Sequence, residues 1–310
     1  MDQSVRRDFI ETLARAGILI PGTVAGLYGR GALMERLAEF VSHWVREAGA
    51  GDGAEFLRFP PLMARGSFED SGYFRNFPNL VGTVHCFCGD EEDHRVLMRT
   101  HDAGGDWTAQ QRASDLVMVP AACYPVYPAV AARGAVAAAG RVFDVCSYCF
   151  RREPSEDPNR QQMFRQHERV YIGHAEGARA FRAAWVERAR DLASLLGIPF
   201  DVVPANDPFF GRTGRILIRG QIEQTLKLEL VTPSVAESGE TACVSFNLHL
   251  DKMAQAFGLA LDDQTQAHTA CVGFGLERLA LAVFWHHGVR ARDWPTPLVD
   301  ALVSHGGRLA

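Results

Sequence analysis

The 310-residue sequence predicts an α+β fold, a mostly antiparallel sheet flanked by helices. Three observations carry this expectation. Short β-like runs follow one another in hairpin order, with few helices between them to serve as parallel crossovers. Two of these runs, "RVFDVCSYCF" (141–150) and "MFRQHERVYIG" (163–173), flank a polar loop, as the partners of one long hairpin do. Helical patterning is confined to the first 50 residues, to about 175–196, and to "GFGLERLALAVFWHHG".

In chain order, residues 1–50 read as an amphipathic, helical N-terminal extension, as in "LMERLAEFVSHWV", and "GAGDGAE" is a turn-rich joint. "AEFLRFPPLM" reads as a strand running into Pro60 and Pro61. "NLVGTVHCF", "RVLMRT" and "DLVMVP" read as further strands. The long hairpin follows, and its "SEDPNRQQ" segment is expected to be mobile. On the helix at 175–196, an advance of about 100° per residue puts Phe181, Ala184, Trp185, Leu192 and Leu195 on one side. Arg179, Arg182 and Arg190 fall roughly opposite, either as a solvated polar face or as a basic docking stripe. "PFDVVPA", "RILIRGQIEQTLKLELV" and "TACVSFNL" complete the strands, and the last helix is entered through glycines. One domain over 1–310 is expected.

The bulk numbers exclude several classes. Apolar residues make up 47% and charged residues 22%, as in soluble globular chains. No window approaches the roughly 18 apolar residues of a membrane span. The N-terminal run "AGILI" is short and preceded by acidic residues, so it makes no good signal peptide. A cytoplasmic protein is expected, and its seven cysteines read as reduced thiols, some available as metal ligands. A formal net charge of −5 argues against a large nucleic-acid surface.

Three constellations carry chemistry. In "CVGFGLERLALAVF", Gly273 and Gly275 permit a tight turn, and the helix beyond is apolar except for Glu277 and Arg278. A charged pair there is costly without partners, so it reads either as a structural ion pair or as an arginine held at an anion site. In the hairpin, Phe150-Arg151-x-Glu153 is followed by Arg160-x-x-x-Phe164. Two arginines suit phosphate because the guanidinium fork bonds two oxygens at once. With Phe164 to stack a base and Glu153 to accept from an exocyclic amine, the set describes a bent ATP lying on an antiparallel sheet. The third set is Cys123 at a strand end, Glu168 four residues after Phe164 and so on the same strand face, and Cys271 two residues before Gly273. Two thiolates and a carboxylate make a three-ligand zinc site with an open fourth position; the alternative is ordinary buried thiols. A rival cluster, Cys86-x-Cys88 with Cys146-x-x-Cys149, lacks knuckle glycines. His85, His167, His174, His249 and His268 read as surface or satisfied core histidines, with His268 a reserve ligand.

These motifs resemble a known family. F-R-x-E followed by R-x-x-x-F resembles motif 2 of class II aminoacyl-tRNA synthetases, "GFGLERLAL" resembles motif 3, and "AEFLRFPPLM" with Pro61 resembles motif 1, the dimer-interface element. "SFEDSGYFRNFPN", "LLGIPFDVV" and "LELVTP" are similar to seryl-tRNA synthetase cores, so the resemblance covers about 50–290. It implies Arg151 on the α-phosphate, Arg278 on the γ-phosphate, Phe164 under the adenine, Glu153 near its amine, and Glu229 and Glu240 as carriers of Mg²⁺. Ser245 and Asn247 would meet the amino acid, although "TACVSFN" departs from the usual serine-site spacing. Cys123, Glu168 and Cys271 match the zinc ligands of methanogen-type seryl-tRNA synthetases, in which the open position takes the substrate's amino group.

Only about 50 residues precede motif 1, with no heptad pattern and no basic face, so no tRNA-binding domain and no tRNA partner are expected. The truncated, zinc-containing core resembles the bacterial amino acid:[carrier protein] ligases. That resemblance implies ATP-dependent activation of a small amino acid, glycine or alanine, to the aminoacyl-adenylate. The product would pass to the phosphopantetheine thiol of an acyl or peptidyl carrier protein as a thioester. A homodimer without membrane association is implied. The alternatives are a reduced seryl-tRNA synthetase-like enzyme and a non-catalytic paralogue serving as a binding or regulatory subunit.

Overall fold

A seven-stranded sheet, in the order β3-β7-β8-β12-β11-β10-β9, organises the computed structural model, which describes residues 2–207 and 224–306. Its strands are β3 (Glu55–Leu57), β7 (Arg141–Phe150), β8 (Met163–Gly173), β9 (Asp201–Pro204), β10 (Lys227–Pro233), β11 (Glu240–Leu250) and β12 (His268–Gly275). Every neighbouring pair is antiparallel except β3 with β7. The long hairpin holds as expected: β7 and β8 pair from Arg141↔Ile172 to Phe150↔Met163.

Strand alternation separates two faces. On one, Tyr171, Phe246, Val272 and Phe274 pack against helices α2 (Ala32–Ala48), α7 (Ala175–Leu196) and α9 (Leu276–His287). On the other, Phe143, Val145, Val170 and Ile172 pack with Tyr127 of α6 (Val126–Ala131) and Met253 of α8 (Lys252–Phe257), beside a cavity. A three-stranded sheet of β4 (Leu62–Ala64), β6 (Gln111–Met118) and β5 (Thr83–Phe87) lies apart in pairing.

Several expectations change. "AEFLRFPPLM" is two strands in different sheets, because Pro60 and Pro61 have no N–H for a continuous ladder. "RVLMRT" belongs to a helix, α5 (Glu91–Asp102), started by an Asp90/Asp93 capping box and flanked by Glu91 and Glu92 first and Arg99 and His101 last. The N-terminal 50 residues hold α1 (Gln3–Arg15) and α2, but between them β1 (Leu19–Pro21) and β2 (Tyr28–Arg30) form a hairpin. The "SEDPNRQQ" loop buries Asp157, Asn159, Gln161 and Gln162, and Asp157 Oδ1 accepts from both Asn159 nitrogens. Residues 215–223 of "RILIRGQIEQTLKLELV" lie outside the described residues; the strand from that stretch begins at Lys227.

On α7 the buried face is Ala178, Phe181, Trp185, Ala189, Leu192 and Leu196, while Ala184 is exposed. Of the three arginines expected opposite, Arg179 is exposed and Arg182 and Arg190 are half-buried. Arg182 donates to the Thr225 carbonyl, Arg190 pairs with Glu187 at 3.6 Å, and Arg188 clasps Asp52 with both terminal nitrogens. No helix among the described residues is long and apolar enough to cross a membrane.

Candidate active site

The cavity, of about 570 Å³, opens on the sheet face opposite α7 and α9. Strand β8 sends alternate side chains each way. Arg165, His167 and Arg169 turn toward the helices, where Arg165 meets Glu35 of α2, His167 meets Ser42 of α2, and Arg169 meets Asp144. Phe164, Gln166 and Glu168 line the cavity. Register then sets two rows across β8, β12 and β11: Glu168–Gly273–Ser245, and Val170–Cys271–Asn247. Gly273 is the low point of the floor. A Cβ there would sit 3.4 Å from Glu168 Cγ and 3.5 Å from Ser245 Oγ, filling the space between them.

At one end Cys123, Glu168 and Cys271 each offer a ligand atom, all within 4.8 Å of one another. All three are buried and line the cavity. Burial, with the Cys271 charge beside it, pushes the Glu168 carboxyl up to about 8, and its Oε1 accepts from the Ala122 N–H at 3.0 Å. The hydrogen bond to Cys271 and burial push the Cys123 thiol well up, whereas the same hydrogen bond, together with His249 and Asn247, holds Cys271 well down. Of the two sulfurs, Cys271 is the one whose surroundings favour the thiolate. No salt bridge neutralises any of the three among the described residues. A soft, anionic, buried donor set of this kind fits zinc.

The rival cysteine cluster does not assemble. Cys86 and Cys88 are exposed by the three-stranded sheet, and Cys146 and Cys149 are on β7 of the other. His268 belongs to no ligand cluster among the described residues. His167 is a satisfied core residue between Ser42 and Asp144. His249 is more than that: it contacts Thr269 Oγ1 at 3.0 Å and Cys271 Sγ at 3.6 Å. Its alternation with Asn247 on β11 was the signal that could have placed it here.

At the other end Arg151 lies with its guanidinium 5.4 Å from the Phe164 ring centre and donates to the Pro120 carbonyl at 3.0 Å. Arg278 is braced by two backbone carbonyls, Asn159 and Ala242, both at 2.9 Å. Glu153 lines the same cavity. The charged pair of the last helix divides its roles. Both touch the cavity, but Glu277 is tied up with Arg165 at 2.7 Å and Arg30 at 3.1 Å, whereas Arg278 has only backbone carbonyls as hydrogen-bond partners among the described residues.

Glu229 lines the cavity, paired with Lys227 at 2.9 Å; Lys227 also reaches Asp207 at 2.6 Å. The "KLE" alternation puts Lys227 and Glu229 on one face. Ser245 and Asn247 also line the cavity. Arg160 and Glu240 do not. Glu240 is exposed at the first position of β11, opposite Pro233, and five residues from Ser245. Arg160 closes a turn onto the Asp157 carbonyl and is exposed beside buried Asn159 and Gln161.

No family model matches the chain. It is 46% identical over 277 residues to amino acid–[acyl-carrier-protein] ligase 2 of Bradyrhizobium diazoefficiens, covering 89% of this chain and 83% of that protein. Ligase 1 of the same organism is 44% identical over 280 residues, with 89% and 85% covered. The type-2 serine–tRNA ligase of Methanopyrus kandleri is 26% identical over 219 residues, covering 66% of this chain and 41% of that protein. Among solved structures, a chain of the A. aeolicus tRNASec complex with M. kandleri SerRS superposes with a TM-score of 0.83 at 20% identity, covering 98% of this chain and 62% of its own length. The Pyrococcus horikoshii seryl-tRNA synthetase complexed with ATP gives 0.67 at 15% identity, covering 90% and 58%. These likenesses establish the fold as that of a seryl-tRNA synthetase catalytic core.

Proposed function

Because the chain belongs to the amino acid–[acyl-carrier-protein] ligase family, we propose that it joins glycine or alanine to the phosphopantetheine thiol of a carrier protein at the expense of ATP. The observation that carries this reading is the meeting, in one cavity, of the Cys123–Glu168–Cys271 cluster with the Arg151–Arg278 pair.

The chemistry needs two displacements. A substrate carboxylate oxygen attacks the α-phosphorus of ATP and pyrophosphate leaves, giving the aminoacyl-adenylate. The carrier's thiolate then attacks the acyl carbon and AMP leaves, giving the thioester. In this reading Arg151 binds the α-phosphate and Arg278 the γ-phosphate, offsetting charge that develops in the transition state. Phe164 stacks the adenine and Glu153 accepts from its amine. Glu229, in the cavity wall, would carry Mg²⁺, and Glu240 is exposed outside that wall. Cys123, Glu168 and Cys271 would hold zinc, which supplies a Lewis-acid site for the substrate's neutral amino group. Asn247 and His249 already contact Cys271 Sγ at 3.4 and 3.6 Å, and this crowding favours a small amino acid. Positioning supplies most of the rate, so no general base is required.

We read the chain as one catalytic unit, working as a cytoplasmic homodimer without tRNA or membrane. Pyrophosphate exchange across the twenty amino acids tests the first step, with glycine or alanine expected to support it. A radiolabelled acceptor assay, holo carrier protein against tRNA, tests the second. Absence of exchange with every amino acid would overturn the proposal.

A further inference from the structure

The hairpin β1–β2 reaches the active site from behind, through contacts that neither the motifs nor the relatives' names assign. Its turn is exposed at Ala25 and Leu27, but Gly26 between them is buried. The Gly26 carbonyl accepts from Gln162 N–H at 2.8 Å, and the Ala25 carbonyl accepts from Gln162 Nε2 at 2.8 Å. Gly26 has φ +76, and a Cβ there would lie 3.2 Å from Gln162 Cγ and 3.3 Å from the Arg160 carbonyl. Both the left-handed backbone and the close approach call for glycine.

Gln162 in turn accepts, through its own carbonyl, from the Arg151 N–H at 3.0 Å. From β2, Arg30 Nη2 donates to Gln161 Oε1 at 3.0 Å and to the Met163 carbonyl at 2.9 Å, while its Nε sits 3.1 Å from Glu277 Oε1. One side chain thus ties the loop that follows Arg151 to the helix that begins with Glu277 and Arg278. The loop returns the contact, because the Asn159 carbonyl accepts from Arg278.

We propose that Arg30 and Gly26 are positioning residues for ATP, with the N-terminal hairpin serving as a brace that sets the spacing between Arg151 and Arg278. The inference rests on the proposed reading that these two arginines bind the triphosphate. Neither hairpin residue lines the cavity, so both act through the loop and the helix start. Displacing one arginine relative to the other weakens a ligand that must meet both, and misplacement by about 1 Å can cost on the order of 10²-fold.

The test uses Gly26→Ala and Arg30→Lys in the full chain, assayed by pyrophosphate exchange with ATP and amino acid varied separately. Lysine keeps a positive charge for Glu277 but lacks the fork that reaches Gln161 and Met163, so this variant folds even if Gly26→Ala does not. The expected result is a rise of about tenfold in the KM for ATP, smaller than a full 1 Å misplacement. The KM for the amino acid and the bound metal per chain stay at wild-type values. A KM for ATP within twofold of wild type in Arg30→Lys overturns the brace, as does an equal rise in both KM values. Wild-type protein that exchanges with no amino acid would instead overturn the reading of the site itself.

Discussion

Asn247 donates its side-chain N–H to Cys271 Sγ at 3.4 Å, directly across the β11–β12 pair. That bond, with His249 on the same sulfur, favours the thiolate over the thiol at the position where a metal would need it. Purified protein should therefore carry about one zinc per chain, as expected of a single open site. Cys123→Ala or Cys271→Ala should abolish both metal content and amino-acid activation. Asn247→Ala should keep the metal but weaken its binding on the order of tenfold, read by competition with a chelator. Full exchange activity in metal-free protein would rule the site out.

Arg151 and Arg278 are held differently from Arg160, and their substitution should separate accordingly. Arg151→Ala and Arg278→Ala should each lower adenylate formation by a factor on the order of 10² or more, with the fold intact by circular dichroism. Arg160→Ala and Glu240→Ala change exposed side chains outside the cavity and should leave exchange within a few-fold of wild type, about the scale of a surface change. A loss in Arg160→Ala as large as that in Arg151→Ala would put Arg160 back on the nucleotide.

The contrast shows what was legible in the sequence. The β7–β8 hairpin and α7 have the residue ranges expected of them, because long periodic segments bounded by turn residues have one reading. The three proposed zinc ligands meet because two lie on adjacent strands in a fixed register, and the third, expected at a strand end, sits instead in the turn between β6 and α6. Helix α5 was misread because Val96 and Leu97 in a six-residue window fit either period, and the caps that decide it lie outside that window. Glu240 lies outside the cavity wall, separated from Ser245 by a bulge where Ala242 and Val244 face consecutive partners Val231 and Leu230. Nothing in spacing announces the hairpin at 19–30, whose strands are three residues each, or its contacts with a loop more than 130 residues away.

Strand β3 ends the seven-stranded sheet and carries Phe56, 54% exposed, with the Arg58 and Arg46 guanidiniums 3.6 and 5.0 Å from its ring centre. An open strand edge with an exposed aromatic is a surface that association covers. The protein should sediment as a two-fold homodimer at micromolar concentration, and Phe56→Glu should shift it toward monomer. A wild-type monomer under those conditions would contradict this.

Asp144 should leave a signature in acid. Its Oδ2 accepts from Arg169 Nη1 and from His167 Nε2, both at 3.0 Å, in a buried network beneath α2. Burial pushes the carboxyl up, but the His167 hydrogen bond and the His167 and Arg169 charges outweigh it and hold it near about 2, against 3.8 ordinarily. The folded value is the lower one, so the unfolded chain binds the proton more readily and stability from this group is present above about pH 4. It is lost as pH falls from about 4 toward 2. At neutral pH burial keeps the His167 charge off, so only the Arg169 and hydrogen-bond share of a shift of nearly two units acts there, on the order of 1 kcal/mol. Asp144→Asn should therefore destabilise the protein by about that amount in urea unfolding at pH 7, with the gap to wild type narrowing below about pH 4. A gap that stays constant from pH 7 down to pH 3 would assign the loss to packing rather than to the charge.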